Sequence, residues 1–183
     1  GEAIFGLPFH VARFFRPTVL QVFGFNNTEL GAVMAVYGLT AMIAYFPGGP
    51  LADLFPARRL LMLSLLTTGL GGFYFLTIPG YSGMSVLFGF WGVTTILLFW
   101  AALIRATRDW GREDEQGRAY GILDGGRGVL AAVLAGLAVW VFQAMLPSDP
   151  TTATEAQRLL ALRGIIAVYI AVTFASAGLG WFY

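Results

Sequence analysis

The chain has no cysteine and no lysine, and its one histidine is His10. The missing cysteines exclude disulfides and thiolate metal sites, and one histidine cannot make a cluster of histidine ligands. Charged residues make up 11% of the chain, whereas soluble domains carry about 25%. The formal net charge of +1 gives no strong positive field to attract nucleic acid. Composition therefore predicts no metal, no cofactor and no nucleic-acid partner.

What is abundant instead is apolar surface. Hydrophobic residues make up 57% of the chain, aromatic residues 15%, and the mean hydropathy is +0.73. A soluble domain of ~150–200 residues leaves much of its surface in water and could not bury so much apolar area. The apolar runs also recur at the length of about 20 residues that a membrane-spanning helix needs. We therefore predict an all-α, multi-pass membrane protein surrounded by the lipid bilayer.

The apolar runs and the polar breaks between them predict six transmembrane helices. Their approximate ranges are 1–15, 28–47, 60–78, 84–104, 119–143 and 162–182. The first run has only 15 residues and already contains Glu2, Pro8 and His10. At 1.5 Å per residue it is too short for a hydrocarbon core of about 30 Å, so we expect this first helix to be truncated. Asn27 or Thr28 is expected to cap the second helix.

Arginine counts predict the orientation, because cytoplasmic loops carry more basic residues than external loops. The loops after the second and fourth helices contain six arginines, and the other side has four. The six are Arg58, Arg59, Arg105, Arg108, Arg112 and Arg118, and the four are Arg13, Arg16, Arg158 and Arg163. We therefore predict that the 48–59 and 105–118 loops are cytoplasmic and that the 144–160 loop is external.

The connection between the second and third predicted helices carries the most specific motif. Residues 49–61 read Gly-Pro-Leu-Ala-Asp-Leu-Phe-Pro-Ala-Arg-Arg-Leu-Leu. This segment resembles the G-x-L-A-D-R-x-G-R-R-x-L-L signature of the major facilitator superfamily, which lies at the same place between two helices. The matching positions are Gly49, Leu51, Ala52, Asp53, Arg58 and Leu61, whereas Leu54, Pro56 and Ala57 depart from the signature. Asp53 is expected to pair with Arg58 or with a helix end.

The resemblance implies a fold of twelve helices in two six-helix halves, each half built from inverted three-helix repeats. The six helices predicted here are similar to the N-terminal half, so residues 1–183 would form one domain whose partner is the missing C-terminal half. The resemblance also implies a secondary transporter, not an enzyme, that moves a small polar or anionic solute such as a sugar, sugar phosphate or organic acid. The gate motif, defined as Gly49, Asp53, Arg58 and Arg59, would contact the other half and stabilise one alternating state.

Two other patterns of the family are absent from this chain. Many proton-coupled members carry an arginine on the fourth helix where this chain has Phe88. Many drug antiporters carry a Gly-Pro pair on the fifth helix, which has no proline here, so a drug:proton antiporter is disfavoured. The chain is more similar to a poorly characterised bacterial branch associated with sugars, sugar phosphates and organic acids. This resemblance implies that the protein lies in a bacterial cytoplasmic (inner) membrane. A proton and an inorganic anion remain alternatives for a coupling ion.

The fifth predicted helix contains two charged residues, Asp124 and Arg127, at membrane depth. A charge near the bilayer centre costs about 2.5–3.5 kcal/mol on insertion scales, so by default it is paired and functional. Tyr120, Asp124 and Arg127 fall on one helix face, which predicts a polar face towards a cavity. The alternative is an internal Asp124–Arg127 bridge that only holds helices together. A small-residue face should pack against a neighbouring helix, and it consists of Gly121, Gly125, Gly128, Ala132 and Gly136.

Four further residues complete the candidate set for substrate or coupling. Glu2 lies inside the predicted bilayer, where its carboxylate could carry a proton or pair with an arginine of the fifth helix. The resemblance places the second and fourth helices around the cavity, so Tyr37, Trp91 and Thr95 become candidates for contact with a sugar ring or hydroxyl. Simple packing is the alternative for each of these side chains. His10 is expected at the membrane interface or in packing.

The alternative function from another class is a transport-inactive relative that acts as a membrane sensor or scaffold. Loss of uptake on substitution of Arg127 would distinguish a transporter from such a protein. An intramembrane enzyme would need a nucleophile–base set or metal ligands. One histidine, no cysteine and no G-x-S-x-G turn argue against that class.

Overall fold

A computed structural model describes residues 1–147 and 152–182 of the chain. Every regular element in these residues is helical, so the predicted all-α architecture is confirmed. We number six helices, α1 to α6, along the chain. They are α1, formed by the consecutive segments Glu2–Phe5, Gly6–His10, Val11–Phe14 and Arg16–Phe23; α2, Asn27–Leu54; α3, Ala57–Phe75; α4, formed by Tyr81–Val93, Thr94–Trp100 and Ala101–Trp110; α5, Gln116–Ala144; and α6, Glu155–Phe182.

Four helices in the described residues are long and apolar enough to cross a membrane. They are Asn27–Leu54, Tyr81–Trp110, Glu113–Ala144 and Glu155–Gly180. Neither α1, which is irregular, nor α3 is among the four, so the count of six spans stays a prediction. The predicted 144–160 loop is shorter than expected, because α6 begins at Glu155, and its residues 148–151 lie outside the described residues.

The first helix does not end at residue 15 as predicted. Phe15 departs from helical geometry, with φ −116° and ψ 28°, but the segment Arg16–Phe23 resumes the helix at once with Pro17 in its first turn. Proline fits there because the first N–H groups of a helix have no partner inside it. The helix ends at Gly24, whose φ of 67° is left-handed and favours glycine. The Arg16-Pro17 pair is therefore a kink within α1.

The residue that caps α2 is Asn26, so the prediction of Asn27 or Thr28 was wrong. The Asn26 side chain accepts a hydrogen bond from the Glu29 backbone N–H at 2.9 Å. In return the Glu29 carboxylate accepts from the Asn26 backbone N–H at 2.8 Å. This reciprocal capping box satisfies two otherwise unpaired donors and fixes where the helix starts.

At its other end, α2 continues through Pro47 and Pro50 to Leu54, so the predicted end at residue 47 was wrong. A proline inside a helix normally costs about 3 kcal/mol, but membrane helices tolerate it where neighbours satisfy the freed backbone groups. The last turn is supported from α4, where Arg105 donates to the carbonyl oxygen of Ala52. The 28 residues of α2 measure about 42 Å, so the helix extends beyond a hydrocarbon core of about 30 Å.

The other helices differ from their predicted ranges by one to seven residues at their ends, except that α6 ends at residue 182 as predicted. α3 begins at Ala57 rather than at 60, α4 continues to Trp110 rather than to 104, and α6 begins at Glu155 rather than at 162. The predicted ends were placed where the sequence changes from apolar to polar. Helical hydrogen bonding continues past that change, because caps and turn residues rather than hydropathy end a helix.

Glycines let the helices approach one another closely. A Cβ added at Gly92 of α4 would lie 2.6 Å from the carbonyl oxygen of Tyr37 on α2. A Cβ added at Gly69 of α3 would lie 2.9 Å from the ring of Phe174 on α6. Since lipid gives no hydrophobic drive between helices, such contacts supply the van der Waals attraction that holds them together.

Buried hydroxyl groups connect α3 to α4. Ser64 donates to the carbonyl oxygen of Thr94 at 2.6 Å, and the hydroxyls of Thr68 and Thr94 lie 2.8 Å apart. All three side chains are buried, and we refer to them as the hydroxyl cluster. The indole N–H of Trp91 donates to the Thr68 carbonyl oxygen at 3.1 Å. These hydrogen bonds fix the rotation of α4 relative to α3.

The fifth helix is the least buried of the four membrane-spanning candidates. It packs on the rest of the bundle through Leu134 and Ala138, which are buried. Its small-residue face does not make the predicted close helix contact within the described residues. A Cβ would meet no atom within 4 Å at Gly121, Gly125, Gly128 or Gly136. This face of α5 therefore lies on the outside of the six-helix bundle.

Candidate functional site

A pocket of about 360 Å³ opens between α1, α2, α4 and α5. Its lining residues are Glu2, Phe5, Phe9, His10, Arg13, Tyr45, Ile96, Trp100 and Arg127. The Arg127 guanidinium is held between two carboxylates: Nε lies 3.1 Å from Glu2 Oε2, and a terminal nitrogen lies 3.3 Å from Asp124 Oδ1. The sequence allowed Arg127 to pair with either carboxylate, and the structure brings both to it.

The two carboxylates are not equivalent partners. The Glu2 side chain is 13% exposed and the Asp124 side chain 71%, with Arg127 at 23%. This chain leaves most of the Asp124 side chain uncovered, whereas it encloses most of the Glu2–Arg127 pair, in which each charge depends on the other for compensation. Glu2 is therefore the main partner of Arg127, although 125 residues separate them in the chain.

His10 extends this row of polar groups. Its Nε2 lies 3.3 Å from Glu2 Oε1, so each oxygen of that carboxylate has its own partner. The His10 ring also packs edge-on against Tyr169 of α6, with centroids 5.6 Å apart. His10 Nδ1 and the Tyr169 hydroxyl are buried and have no hydrogen-bond partner among the described residues. His10 is buried and packed against aromatic rings, which agrees with the packing alternative predicted for it.

Aromatic rings form the walls beside Arg127. The guanidinium carbon lies 5.2 Å from the Trp100 ring centroid and 5.7 Å from that of Phe5. Cation–π contacts at this range are worth about 0.5–2 kcal/mol, more where water is excluded. The rings therefore stabilise the guanidinium and leave an apolar surface next to it. An arginine flanked by rings can bind a carboxylate or phosphate through two parallel hydrogen bonds.

The fourth helix presents a different face to the pocket than its sequence suggested. Trp91 is fully buried, with its N–H bonded to α3, and Thr95 is fully buried 2.6 Å from the Tyr37 hydroxyl. Neither these residues nor Tyr37 line the pocket. The segment Thr94–Trp100 is a π-helix, which has more residues per turn than an α-helix. It therefore changes which of the residues after Trp91 face the pocket. Trp100 consequently occupies the place expected for Trp91.

Two sets of predicted residues lie away from the pocket. The Tyr120 hydroxyl donates to the Ile104 carbonyl oxygen at 3.4 Å, near the end of α4. In the gate motif, Gly49 lies within α2 with open space around it, and Asp53 is exposed without an ion-pair partner among the described residues. Arg58 donates instead to the Gly180 carbonyl oxygen at 2.9 Å, so the expected Asp53–Arg58 pair is not formed.

Sequence reasoning missed several lining residues, chiefly Phe5, Arg13, Tyr45 and Trp100. One usable signal was the short first segment, where Phe5, Phe9 and Arg13 recur every four residues beside Glu2. No signal in the sequence pointed to the π-helix that turns Trp100 inwards. Within residues 1–147 and 152–182, no group of histidine and acidic side chains is arranged to hold a metal ion.

Comparison with known proteins assigns the chain to a family. The family model described as Major Facilitator Superfamily matches residues 2–183. The chain belongs to the major facilitator superfamily. Its members are typically membrane transporters, and this chain is a multi-pass membrane protein.

Two relatives from Escherichia coli (strain K12) are named as inner membrane proteins. The chain is 34% identical to inner membrane protein YqcE over 160 residues, which are 87% of this chain and 36% of that protein. It is 32% identical to inner membrane protein YihN over 142 residues, which are 78% of this chain and 34% of that protein. The chain thus spans about a third of the length of these relatives. No solved structure matches the chain significantly.

Proposed function

We propose that this chain is part of a secondary transporter that moves a small polar or anionic solute by alternating access. A sugar, a sugar phosphate or an organic acid fits this description. The proposal rests on Arg127. Its guanidinium is partly accessible, lies at membrane depth and lines a pocket. Such a charge is costly unless it pairs or faces a cavity, and here it does both.

The pair of Glu2 and Arg127 suggests how a solute would enter. In the empty site Glu2 compensates the guanidinium, and breaking a buried pair without replacement costs about 3–5 kcal/mol. A solute carboxylate or phosphate would replace Glu2 on Arg127, so that the charge stays paired throughout. His10 would retain Glu2 through its second oxygen during that exchange. Asp124, which is more exposed, would hold the far side of the guanidinium in both states.

The walls of the pocket fit the same class of solute. Trp100 offers a ring face on which a sugar ring could stack, beside the cation that would bind an acidic substituent. The pocket volume of about 360 Å³ lies in the range of about 300–1,000 Å³ that is usual for small-molecule sites. In the complete transporter, the second half would close the open side of this pocket, as expected for binding between two halves.

The gate motif would act at one end of this cycle. Asp53 is exposed and has no ion-pair partner among the described residues, which leaves it available to a second half of the protein. That contact would stabilise one of the alternating states. A proton or an inorganic anion would serve as coupling ion.

Uptake measurements on Arg127→Lys test the proposal. We would measure uptake of labelled sugars, sugar phosphates and organic acids into vesicles that contain the complete protein. Lysine keeps the charge but loses the bidentate geometry, so we expect uptake at low solute concentration to fall about 10- to 100-fold, the equivalent of one charge-assisted hydrogen bond.

Arg118→Lys is the matched control, because Arg118 lies on the same helix, is exposed and pairs only with Glu115 in the described residues. Its uptake should equal that of the wild type. Unchanged uptake in Arg127→Lys would contradict the proposed site. A folded wild-type protein that takes up none of these solutes would favour the transport-inactive sensor or scaffold.

A further inference from the structure

A second groove lies on the outer surface of α3, away from the Arg127 pocket. It has a volume of about 370 Å³ and is lined by Arg58, Arg59, Met62, Leu63 and Leu66. Arg58 and Arg59 are adjacent, and the apolar residues follow at steps of three or four positions, so all five lie along one face of the helix. Two guanidinium groups therefore lie at one end of an apolar strip formed by Met62, Leu63 and Leu66.

The charges of this groove are uncompensated within the described residues. At the same end of the bundle, four other arginines each lie close to a carboxylate, and they are Arg105, Arg108, Arg112 and Arg118. Arg58 and Arg59 form no such pair with any acidic residue in 1–147 or 152–182. Two adjacent positive charges therefore have no acidic partner among the described residues and could bind an anionic ligand.

The length of α3 sets the depth of these residues in the bilayer. Its 19 residues measure about 28 Å, close to the hydrocarbon thickness of about 30 Å, so the predicted third span would have its ends at the two interfaces. Arg58 and Arg59 are in the first turn and would lie at headgroup level. Met62, Leu63 and Leu66 lie roughly 5–12 Å deeper, at the level of the acyl chains.

We propose that this groove binds one anionic phospholipid of the adjoining leaflet. Its phosphate would lie between Arg58 and Arg59, and an acyl chain would run along Met62, Leu63 and Leu66. The bond from Arg58 to the Gly180 carbonyl oxygen fixes one guanidinium in place and leaves its terminal nitrogens for the phosphate. A soluble anion would use the arginines but leave the apolar strip uncovered, whereas a zwitterionic lipid brings a cation towards them. An anionic lipid matches both parts of the groove.

Lipid titration of the complete protein tests this site. Phosphatidylglycerol would be added to the detergent-purified protein, and bound lipid would be counted by native mass spectrometry. Each basic residue near the membrane surface contributes about a fivefold affinity for anionic lipid, so Arg58→Gln with Arg59→Gln should weaken binding roughly 25-fold. Arg59→Gln alone, which leaves the Arg58 contact with α6 intact, should weaken it about fivefold.

The matched control is Arg108→Gln with Arg112→Gln, which removes two arginines from the same end of the bundle but outside the groove. Its lipid affinity should stay within about twofold of the wild type. Equal binding by the wild type and the Arg58/Arg59 double variant would overturn the proposal. So would phosphatidylcholine binding as tightly as phosphatidylglycerol. Displacement of the lipid by an equal concentration of soluble glycerol phosphate would assign the groove to a free anion instead.

Discussion

Replacing Gly92 by alanine should separate α2 from α4 and destabilise the protein. The added Cβ would lie 2.6 Å from the Tyr37 carbonyl oxygen and 3.1 Å from the Ala41 backbone nitrogen, and closer still to the Thr40 hydroxyl. The Thr40 side chain can rotate, but the two backbone atoms move only if α2 moves. Overpacking of this kind costs about 1–3 kcal/mol, and the higher helix propensity of alanine returns about 0.5–1 kcal/mol. We therefore expect a net loss of about 1 kcal/mol from the middle of these ranges and of about 2.5 kcal/mol at most.

Thermal unfolding of the purified complete protein in detergent measures this loss. Gly38→Ala is the matched control, because Gly38 is also a glycine of this helix pair but has no atom within 4 Å of an added Cβ. That variant should be as stable as the wild type or more stable, since only the propensity gain applies. If Gly92→Ala unfolds at the same temperature as Gly38→Ala, the inferred close approach of α2 and α4 is wrong.

Two further predictions concern the end of the bundle that carries the gate motif. Asp53→Asn should slow solute uptake in vesicles yet change the free energy of unfolding by no more than about 0.5 kcal/mol, because Asp53 is exposed and unpaired in the described residues. Wild-type uptake in that variant would make the motif a simple connector. Glu113→Cys, in a chain with no native cysteine, should resist an impermeant maleimide added outside intact cells, since arginine counts predict this loop to be cytoplasmic. Labelling from outside would reverse the predicted orientation.

The sequence located the helices more reliably than their ends. Runs of about 20 apolar residues predict a span because the hydrocarbon core demands that length, whatever the tertiary packing. Pro47 and Pro50 were misleading, because the cost of proline in a helix depends on neighbours that a sequence does not display. The start of α2 shows the same limit. Asn26, Asn27 and Thr28 are all good capping residues, and the reciprocal hydrogen bonds with Glu29 select Asn26.

The candidate site was predictable where membrane depth decided the outcome. Arg127 and Glu2 needed partners because a lone charge at that depth is costly, and they are each other's partner. Assignment of helix faces failed for α4, because a regular spacing of 3.6 residues does not hold across its π-helix. Trp100, for which the sequence suggested no role, therefore lines the pocket, whereas Trp91 precedes the π-helix and is buried against α3.

The hydroxyl cluster between α3 and α4 has a consequence for how the chain enters the membrane. α3 is not one of the four helices apolar enough to qualify as a span, and it begins with two arginines and carries Ser64 and Thr68. In the part of the chain that the structure describes, Thr94 of α4 provides the hydrogen-bond partners across this contact for the Ser64 and Thr68 hydroxyls, and Trp91 donates to the Thr68 carbonyl oxygen. During synthesis, α3 alone would therefore be unstable in lipid until α4 has also been made. The two helices should leave the translocon together, as a hairpin assembled before it meets lipid.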